Sequence, residues 1–141
     1  MLGRRELSEA QVRQRLARRG CKPDAIDAAV ARLCEEHAID DARVVEAIVR
    51  TQSSVRHRGK LRVLREIESA GITATTARRA VDDAFDGLAG DALLDVSLAK
   101  RLRGREQIAD EAEFGRLYRY LIGQGFEPER IIRALKARSV K

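Results

Sequence analysis

The chain has 141 residues, a formal net charge of +6 and a pI near 9.9, which suits an anionic partner. A domain of this length can bury a core, and a composition of 44% apolar and 35% charged residues with few aromatics favours helix. The sequence shows no signal peptide, lipidation motif or long apolar stretch, and two cysteines do not make a disulfide framework. We expect a single soluble, cytoplasmic domain over residues 1–141, with reduced thiols and no membrane contact.

Eight helices are predicted in chain order from apolar spacing and from the residues that start and end helices. Ser8 with Gln11 forms a capping box before the first helix, and Asp40 is the expected N-cap of the third. Asp110 with Glu113 resembles a second capping box before the seventh helix. The predicted spans are 8–19, 23–37, 41–54, 60–69, 74–86, 91–103, 111–124 and 128–138.

Three glycines mark three copies of one helical unit. Gly20, Gly71 and Gly125 are 51 and 54 residues apart, and the residues around them match in apolar type at five offsets. Each glycine is expected to end a helix in the left-handed conformation. A helix pair cannot bury its apolar stripe alone, so we expect an elongated, right-handed or crescent-like all-α array, with a globular bundle as the competing shape. The three tandem three-helix repeats cover about 8–54, about 58–104 and about 110–138, the third being truncated.

Most of the excess positive charge lies in the middle of the chain. Residues 51–105 hold 11 Lys and Arg against 7 acids, whereas the segments on either side are nearly balanced. A helix that starts near Lys60 places the first cluster of cations away from Val63 and Ile67, as a ridge that could meet phosphates or acidic protein patches. For the run at residues 56–65 the ordinary alternative is a solvated helix face. For the run at residues 100–103 it is favourable interaction of cations with the helix dipole at the C-terminal end. The candidate contact residues are Arg56, Arg58, Lys60, Arg62 and Arg65 in the first basic run and Lys100, Arg101 and Arg103 in the second.

The sequence gives no support for catalysis or for a metal site. It contains no phosphate-binding glycine loop, nucleophile elbow or zinc-protease motif, and His37 and His57 have no obvious partner. Cys34-x-x-His37, with Cys21 nearby, lacks a fourth ligand for zinc. Both cysteines occupy apolar repeat positions, so we predict that their thiols are buried. Because catalytic and metal-binding motifs are missing, we predict a protein that is not an enzyme and needs no metal or cofactor.

Three segments, taken in their order and spacing, carry a resemblance to a known family. They are Leu7-Ser8-x-x-Gln11-Val12-x-x-x-Leu16-x-x-x-Gly20, Ile39-Asp40-Asp41-x-Arg43-Val44-x-x-x-Ile48-Val49-Arg50, and Arg58-Gly59-Lys60-x-Arg62-Val63-x-x-Glu66-Ile67-x-x-x-Gly71-Ile72. With these segments the chain resembles the RecX family of regulators of the recombinase RecA over essentially its whole length.

The resemblance implies three tandem three-helix repeats and a monomer that lies in the groove of a RecA filament on single-stranded DNA. There it would inhibit ATP hydrolysis, strand exchange and co-protease activity, and so modulate recombination and the SOS response. Direct, non-specific contact with DNA is a further expectation. Two alternatives stay open: a helix-turn-helix regulator that binds duplex DNA through the second unit, and a protein-binding adaptor that contacts no nucleic acid.

Overall fold

The computed structural model describes residues 6–139, apart from the side chains of residues 87 and 88, and its regular elements in that range are helices. A short π-helix, Arg50–Val55, continues the third α-helix, and Ile108 pairs with Ser139 in an isolated β-bridge. The all-α prediction is therefore confirmed. The α-helices are α1 (Glu9–Arg18), α2 (Pro23–Glu35), α3 (Asp41–Val49), α4 (Lys60–Ser69), α5 (Ala74–Ala84), α6 (Gly87–Leu102), α7 (Glu111–Gln124) and α8 (Pro128–Ala137).

The predicted helices differ from the observed ones mainly at two ends. The predicted span 41–54 changes to π geometry at Arg50, where the Ser53 hydroxyl donates to the Val49 carbonyl and competes with the regular ladder. The predicted start of α6 at Asp91 was wrong, because that helix begins four residues earlier, after Asp86. The Asp91 carboxylate instead lies 2.6 Å from Arg130 Nη1.

The first and third helices start at the capping residues that the sequence indicates. The Ser8 hydroxyl accepts from the N–H of Gln11, while the Gln11 side chain accepts from the N–H of Ser8, which completes the capping box. The Asp40 carboxylate accepts from the N–H groups of Ala42 and Arg43. Local side-chain chemistry therefore sets where these two helices begin.

Buried side chains form three clusters within the described range rather than one central core. The first contains Ile26, Val30 and Ile39 and belongs to α1 and α2. The second is built by α3, α4 and α5, and the third by α6, α7 and α8. Packing thus groups α3 with α4, and α6 with α7, whereas the glycine alignment groups α3 and α6 with the helices before them. Both groupings divide the chain into repeats of the same length, but they assign a different helix as the first of each repeat.

A glycine turn of each later unit docks on the start of a helix in the unit before it. At the first junction the Ser8 hydroxyl donates to the carbonyl of Ala70, at the end of α4. Gly71 has a φ of +85° and lies so close to Ala10 that a β-carbon on this glycine would overlap the Ala10 side chain. The turn therefore needs glycine for its backbone conformation and for the close approach.

The second junction repeats this arrangement one unit further along. The N–H groups of Gly59 and Leu61, at the start of α4, donate to the carbonyls of Gln124 and Gly125, both at 2.8 Å. A β-carbon on Gly125 would overlap Arg62. The first turn of α4 thus satisfies carbonyls at the end of α7, so each helix end supplies the hydrogen-bond partners that the other lacks.

The corresponding turn of the first unit has no earlier unit to dock on among the described residues. A β-carbon on Gly20 would meet no atom within 4 Å, and the next residue, Cys21, is exposed. Its counterparts Ile72 and Phe126 are buried. The prediction of a buried Cys21 was therefore wrong, because this turn packs against no other described element, and Cys34 is partly buried.

Replacing Ser8 with alanine should remove both the cap of α1 and the hydrogen bond to Ala70. We expect the free energy of unfolding to fall by about 2 kcal/mol, more than the ~1 kcal/mol typical of a simple N-cap, since the buried hydroxyl serves both contacts. Urea unfolding followed by circular dichroism measures the change. Thr73→Ala, which removes the exposed N-cap of α5, is the matched control; an equal loss in the two variants would contradict the junction role.

Candidate functional site

The segment that opens the first basic run is held at the second junction. The N–H of Arg58 donates to the carbonyl of Gln52 in the π-helix at 2.8 Å. The carbonyl of His57 accepts from the Ser97 hydroxyl of α6 at 2.8 Å, and Gly59 is bonded to the end of α7 as described above. The basic run therefore starts on a well-held junction between the second and third units and not on a free loop.

The outer cations of the first basic run differ in how available they are. Arg56 and Arg65 are exposed and form no ion pair among residues 6–139. Lys60 is partly buried, and its Nζ lies 2.9 Å from Oδ1 of Asp82 on α5. Arg56 and Arg65 can thus contact a partner without breaking an internal ion pair, whereas Lys60 must first break its ion pair with Asp82.

Arg58 and Arg62 are half-buried and belong to the junction itself. Arg62 Nη1 donates to the carbonyl of Gly123 at 2.9 Å, and Arg62 Nε lies 3.9 Å from the Glu66 carboxylate. Burial, followed by the nearby charges of Arg62 and Arg56, lowers the pKa of the Arg58 guanidinium. An arginine keeps its charge at neutral pH even so. Arg58 and Arg62, in the middle of the predicted ridge, therefore pack at the junction as well as carrying positive charge.

The second basic run lies at the end of α6 and faces α7. The Arg101 guanidinium carbon lies 4.0 Å from the centre of the Tyr120 ring, within the range of a cation–π contact. Lys100 and Arg103 line a cleft with Arg116 of α7. Arg103 itself adopts a left-handed backbone with a φ of +51° at the end of the helix.

Tyr120 of α7 is the aromatic partner of the second basic run, because the Arg101 guanidinium lies over its ring. Neither Tyr120 nor Arg116, which lies one helical turn before it on α7, was predicted as a site residue. The four-residue spacing of these two side chains was the available signal. It could not be read as a site until α6 was known to pack on α7.

Glu113 lines the same cleft as the second basic run, and its carboxylate is held by hydrogen bonds. Two nitrogens of the Arg105 guanidinium donate to its carboxylate, one of them at 3.0 Å, and the Ala109 N–H donates at 2.8 Å. The Asp110 side chain accepts from the Glu113 N–H at 2.9 Å, so the predicted box is present in part, with Glu113 reaching Ala109 and not Asp110. Arg105 first, and then Ala109, lower the pKa of Glu113 to about 2.

Replacing Arg105 with alanine should return the pKa of Glu113 toward the ordinary glutamate value of about 4.3. A carboxyl whose pKa is lower in the folded state contributes stability above its unfolded pKa. Glu113 should therefore lose its contribution as the pH falls toward 2. NMR titration of the Glu113 carboxyl carbon measures the midpoint, and Arg133→Ala on α8 is the control with the same loss of charge. A midpoint near 4 in the parent protein would contradict the prediction.

Neither a metal centre nor a membrane span is found in the described range. No three His, Cys, Asp or Glu side chains come close enough within residues 6–139 to hold a metal ion. In the same range no helix is long and apolar enough to cross a membrane. A cleft of about 350 Å³ beside α6 is lined mainly by apolar side chains, among them Phe85, Leu93 and Val96.

The three clusters and their recurring junctions define a helical-repeat protein, and exposed basic residues lie near its second junction. A family model described as RecX, first three-helix domain, matches residues 1–33. The regulatory protein RecX of Chromohalobacter salexigens is 33% identical over 137 residues, which is 96% of this chain and 86% of the relative. That of Acidithiobacillus ferrooxidans is 30% identical over 137 residues, 97% of this chain and 85% of the relative.

A solved structure gives the same result for the fold. The crystal structure of RecX from Lactobacillus salivarius matches with a TM-score of 0.74 at 20% identity, and covers 96% of this chain and 90% of that one. The chain belongs to the RecX family of regulatory proteins, as its three sequence segments indicate. The relatives are named as regulators and not as enzymes.

Proposed function

We propose that the chain is a negative regulator of RecA which binds, as a cytoplasmic monomer, along the groove of the RecA filament on single-stranded DNA. In this position it lowers ATP hydrolysis, strand exchange and co-protease activity, and so restrains recombination and the SOS response. The observation that carries the proposal is family membership over almost the whole chain: 33% identity over 96% of its length.

Two features of the structure support a filament as the partner. The buried residues form successive clusters and not a single core, an arrangement that extends a surface along the stack of units. Arg56 precedes the start of α4 and Arg65 lies on that helix; both are exposed, and exposed cations of this kind attract the phosphates of nucleic acid or acidic protein patches. Neither feature selects RecA by itself; the family resemblance does so.

The deciding experiment is a titration of the purified chain into RecA on single-stranded DNA, with ATP hydrolysis as the readout. We expect inhibition at amounts well below one chain per RecA subunit, because one bound molecule contacts successive subunits and hinders growth of the filament. Absence of inhibition even at equimolar protein would contradict the proposal.

A helix-turn-helix regulator is the second candidate, and α5 is the one described helix that favours it. Thr75, Thr76, Arg78 and Arg79 are exposed on its first turns, as side chains that enter a major groove must be. The same positions of α2 carry Asp24 and Asp27, which phosphates repel. Tight binding to one duplex sequence over others would favour this candidate, and binding without preference would contradict it.

A further inference from the structure

The second and third units face each other across the cleft of about 350 Å³ beside α6. One wall of this cleft comes from α6, with Leu93 and Val96, and the other from the end of α5 and the π-helix, with Phe85 and Ser53. Leu93 packs against both neighbouring clusters, but Val96 is 42% exposed. The buried side chains of the two units otherwise form separate clusters, so each unit can keep its own core if the cleft changes shape.

Four hydrogen bonds hold the two units together at the second junction. The Ser97 hydroxyl of α6 donates to the His57 carbonyl at 2.8 Å. The N–H groups of Gly59 and Leu61 donate to carbonyls at the end of α7, as does the Arg62 guanidinium. We call these four bonds the latch. Water can replace polar bonds of this kind when two surfaces separate, so their net contribution is modest.

The segment that carries the latch has an unfavourable local structure. His57 has a φ of +53°, a left-handed conformation that is uncommon for residues with a β-carbon. The His57 Nδ1 and Arg58 Nε atoms are buried and have no hydrogen-bond partner among residues 6–139. A π-helix, which is a rare geometry often found at functional sites, leads into this segment. Separation of the two units would hydrate both nitrogens, which offsets part of the stabilisation by the latch.

We propose that the second junction is a latched hinge: α6, α7 and α8 rotate as one body about the link between α5 and α6, and the latch holds the closed form. The link is short, since α5 ends at Ala84 and α6 begins at Gly87, and it therefore fixes the pivot. Arg56 and Arg65 lie on one side of the hinge and Arg103 on the other, so its angle sets the distance between the two basic runs. The inference goes beyond the proposed function, and its test contains no RecA.

The first arm of the test measures a distance across the hinge. Spin labels are placed on the exposed positions Thr75→Cys of α5 and Ala137→Cys of α8, in a Cys21→Ser/Cys34→Ala background. Double electron–electron resonance should give one main distance and a second, minor one. Ser97→Ala removes one bond of the latch. It should raise the ratio of the minor to the main population about fivefold, because a net hydrogen bond of about 1 kcal/mol corresponds to that factor.

The matched control is Ser139→Ala, which removes a bond of the same kind from inside the third unit. The Ser139 hydroxyl donates to the Leu135 carbonyl at 2.8 Å, the same length as the bond from Ser97 to the His57 carbonyl. Ser139→Ala should leave the distance distribution as it is in the parent protein. An unchanged distribution in Ser97→Ala, or an equal change in the two variants, would overturn the proposal.

The second arm is amide hydrogen exchange in the parent protein, followed by NMR. The latch amides of Gly59 and Leu61 should exchange faster, relative to their intrinsic rates, than those of Ile67 and Leu121, which are buried in the two clusters. Their exchange should also depend less on urea, because opening the hinge exposes less surface than unfolding does. An equal urea dependence of all four amides contradicts the hinge. Rapid exchange of the latch amides with an unmoved label distance shows fraying of α4 alone, and contradicts it as well.

Discussion

Replacing Gly59, the N-cap of α4, with alanine should destabilise the protein by about 3 kcal/mol, mainly through a steric clash with α7. Gly59 has a φ of −85°, which any residue adopts, so the substitution carries no conformational strain. A β-carbon there would lie 2.6 Å from the carbonyl carbon of Gly125 and 2.6 Å from the nitrogen of Phe126. Both atoms are backbone and cannot rotate away, so the start of α4 has to withdraw from the end of α7.

Urea unfolding should also show where that loss occurs. The stability of a repeat protein is the sum of intrinsic unit stabilities and interface terms, and this change acts on the interface between the second and third units. We therefore expect a broader or two-step transition in place of a single one. A change within about 0.5 kcal/mol of the parent protein would mean that close approach at Gly59 does not hold the junction.

Two other glycines separate the possible causes. Gly123 lies inside α7, and a β-carbon added there would meet no atom of another element within 4 Å, so Gly123→Ala should stabilise by up to ~1 kcal/mol through helix propensity. Gly20 has a φ of +87° and open space around it, so Gly20→Ala should cost only the left-handed backbone penalty of about 1 kcal/mol. The order Gly59, Gly20, Gly123 from most to least destabilising is the expected result.

Local chemistry made the helices predictable from the sequence. The spans of α4 and α7 agree with prediction to the residue because Gly71 and Gly125 end the turns and Asp110 caps α7. The start of α6 was missed because Asp86 and Asp91 both suit an N-cap. The contact that occupies Asp91 comes from Arg130, 39 residues away in the chain, and no local pattern reports it.

The sequence predicted which basic residues form the candidate site, but not which side chains they contact. The two basic runs could be read from the sequence, whereas the contact between Arg101 and Tyr120 could not. Arg116 was missed because the glycine alignment places α6 and α7 in different units, whereas packing places them in one. Arg62 was predicted to belong to a ridge directed away from the core, yet its guanidinium donates to a carbonyl of the next unit. Which side chains meet depends on the junctions, and those depend on close approach between backbones.

Inhibition of RecA should weaken roughly tenfold or more when Arg56 and Arg65 are both replaced by alanine. Each exposed charge contact is worth up to about 1 kcal/mol, and about 1.4 kcal/mol corresponds to a factor of ten. These two residues are chosen because they are exposed and unpaired among residues 6–139. Substituting Arg62 as well would loosen the second junction through its bond to Gly123, so a loss of inhibition would then have two causes.

The measurement is the concentration of the chain that halves RecA ATP hydrolysis on single-stranded DNA, with Arg15→Ala/Arg18→Ala as a control of equal charge. The control removes cations from α1, far along the chain from the second junction, and should inhibit like the parent protein. Raising the salt concentration should reduce the difference between the parent protein and the Arg56/Arg65 variant, because screening weakens exposed charge contacts. If that variant inhibits as well as the parent protein at low salt, the exposed residues of the first basic run do not contact the filament.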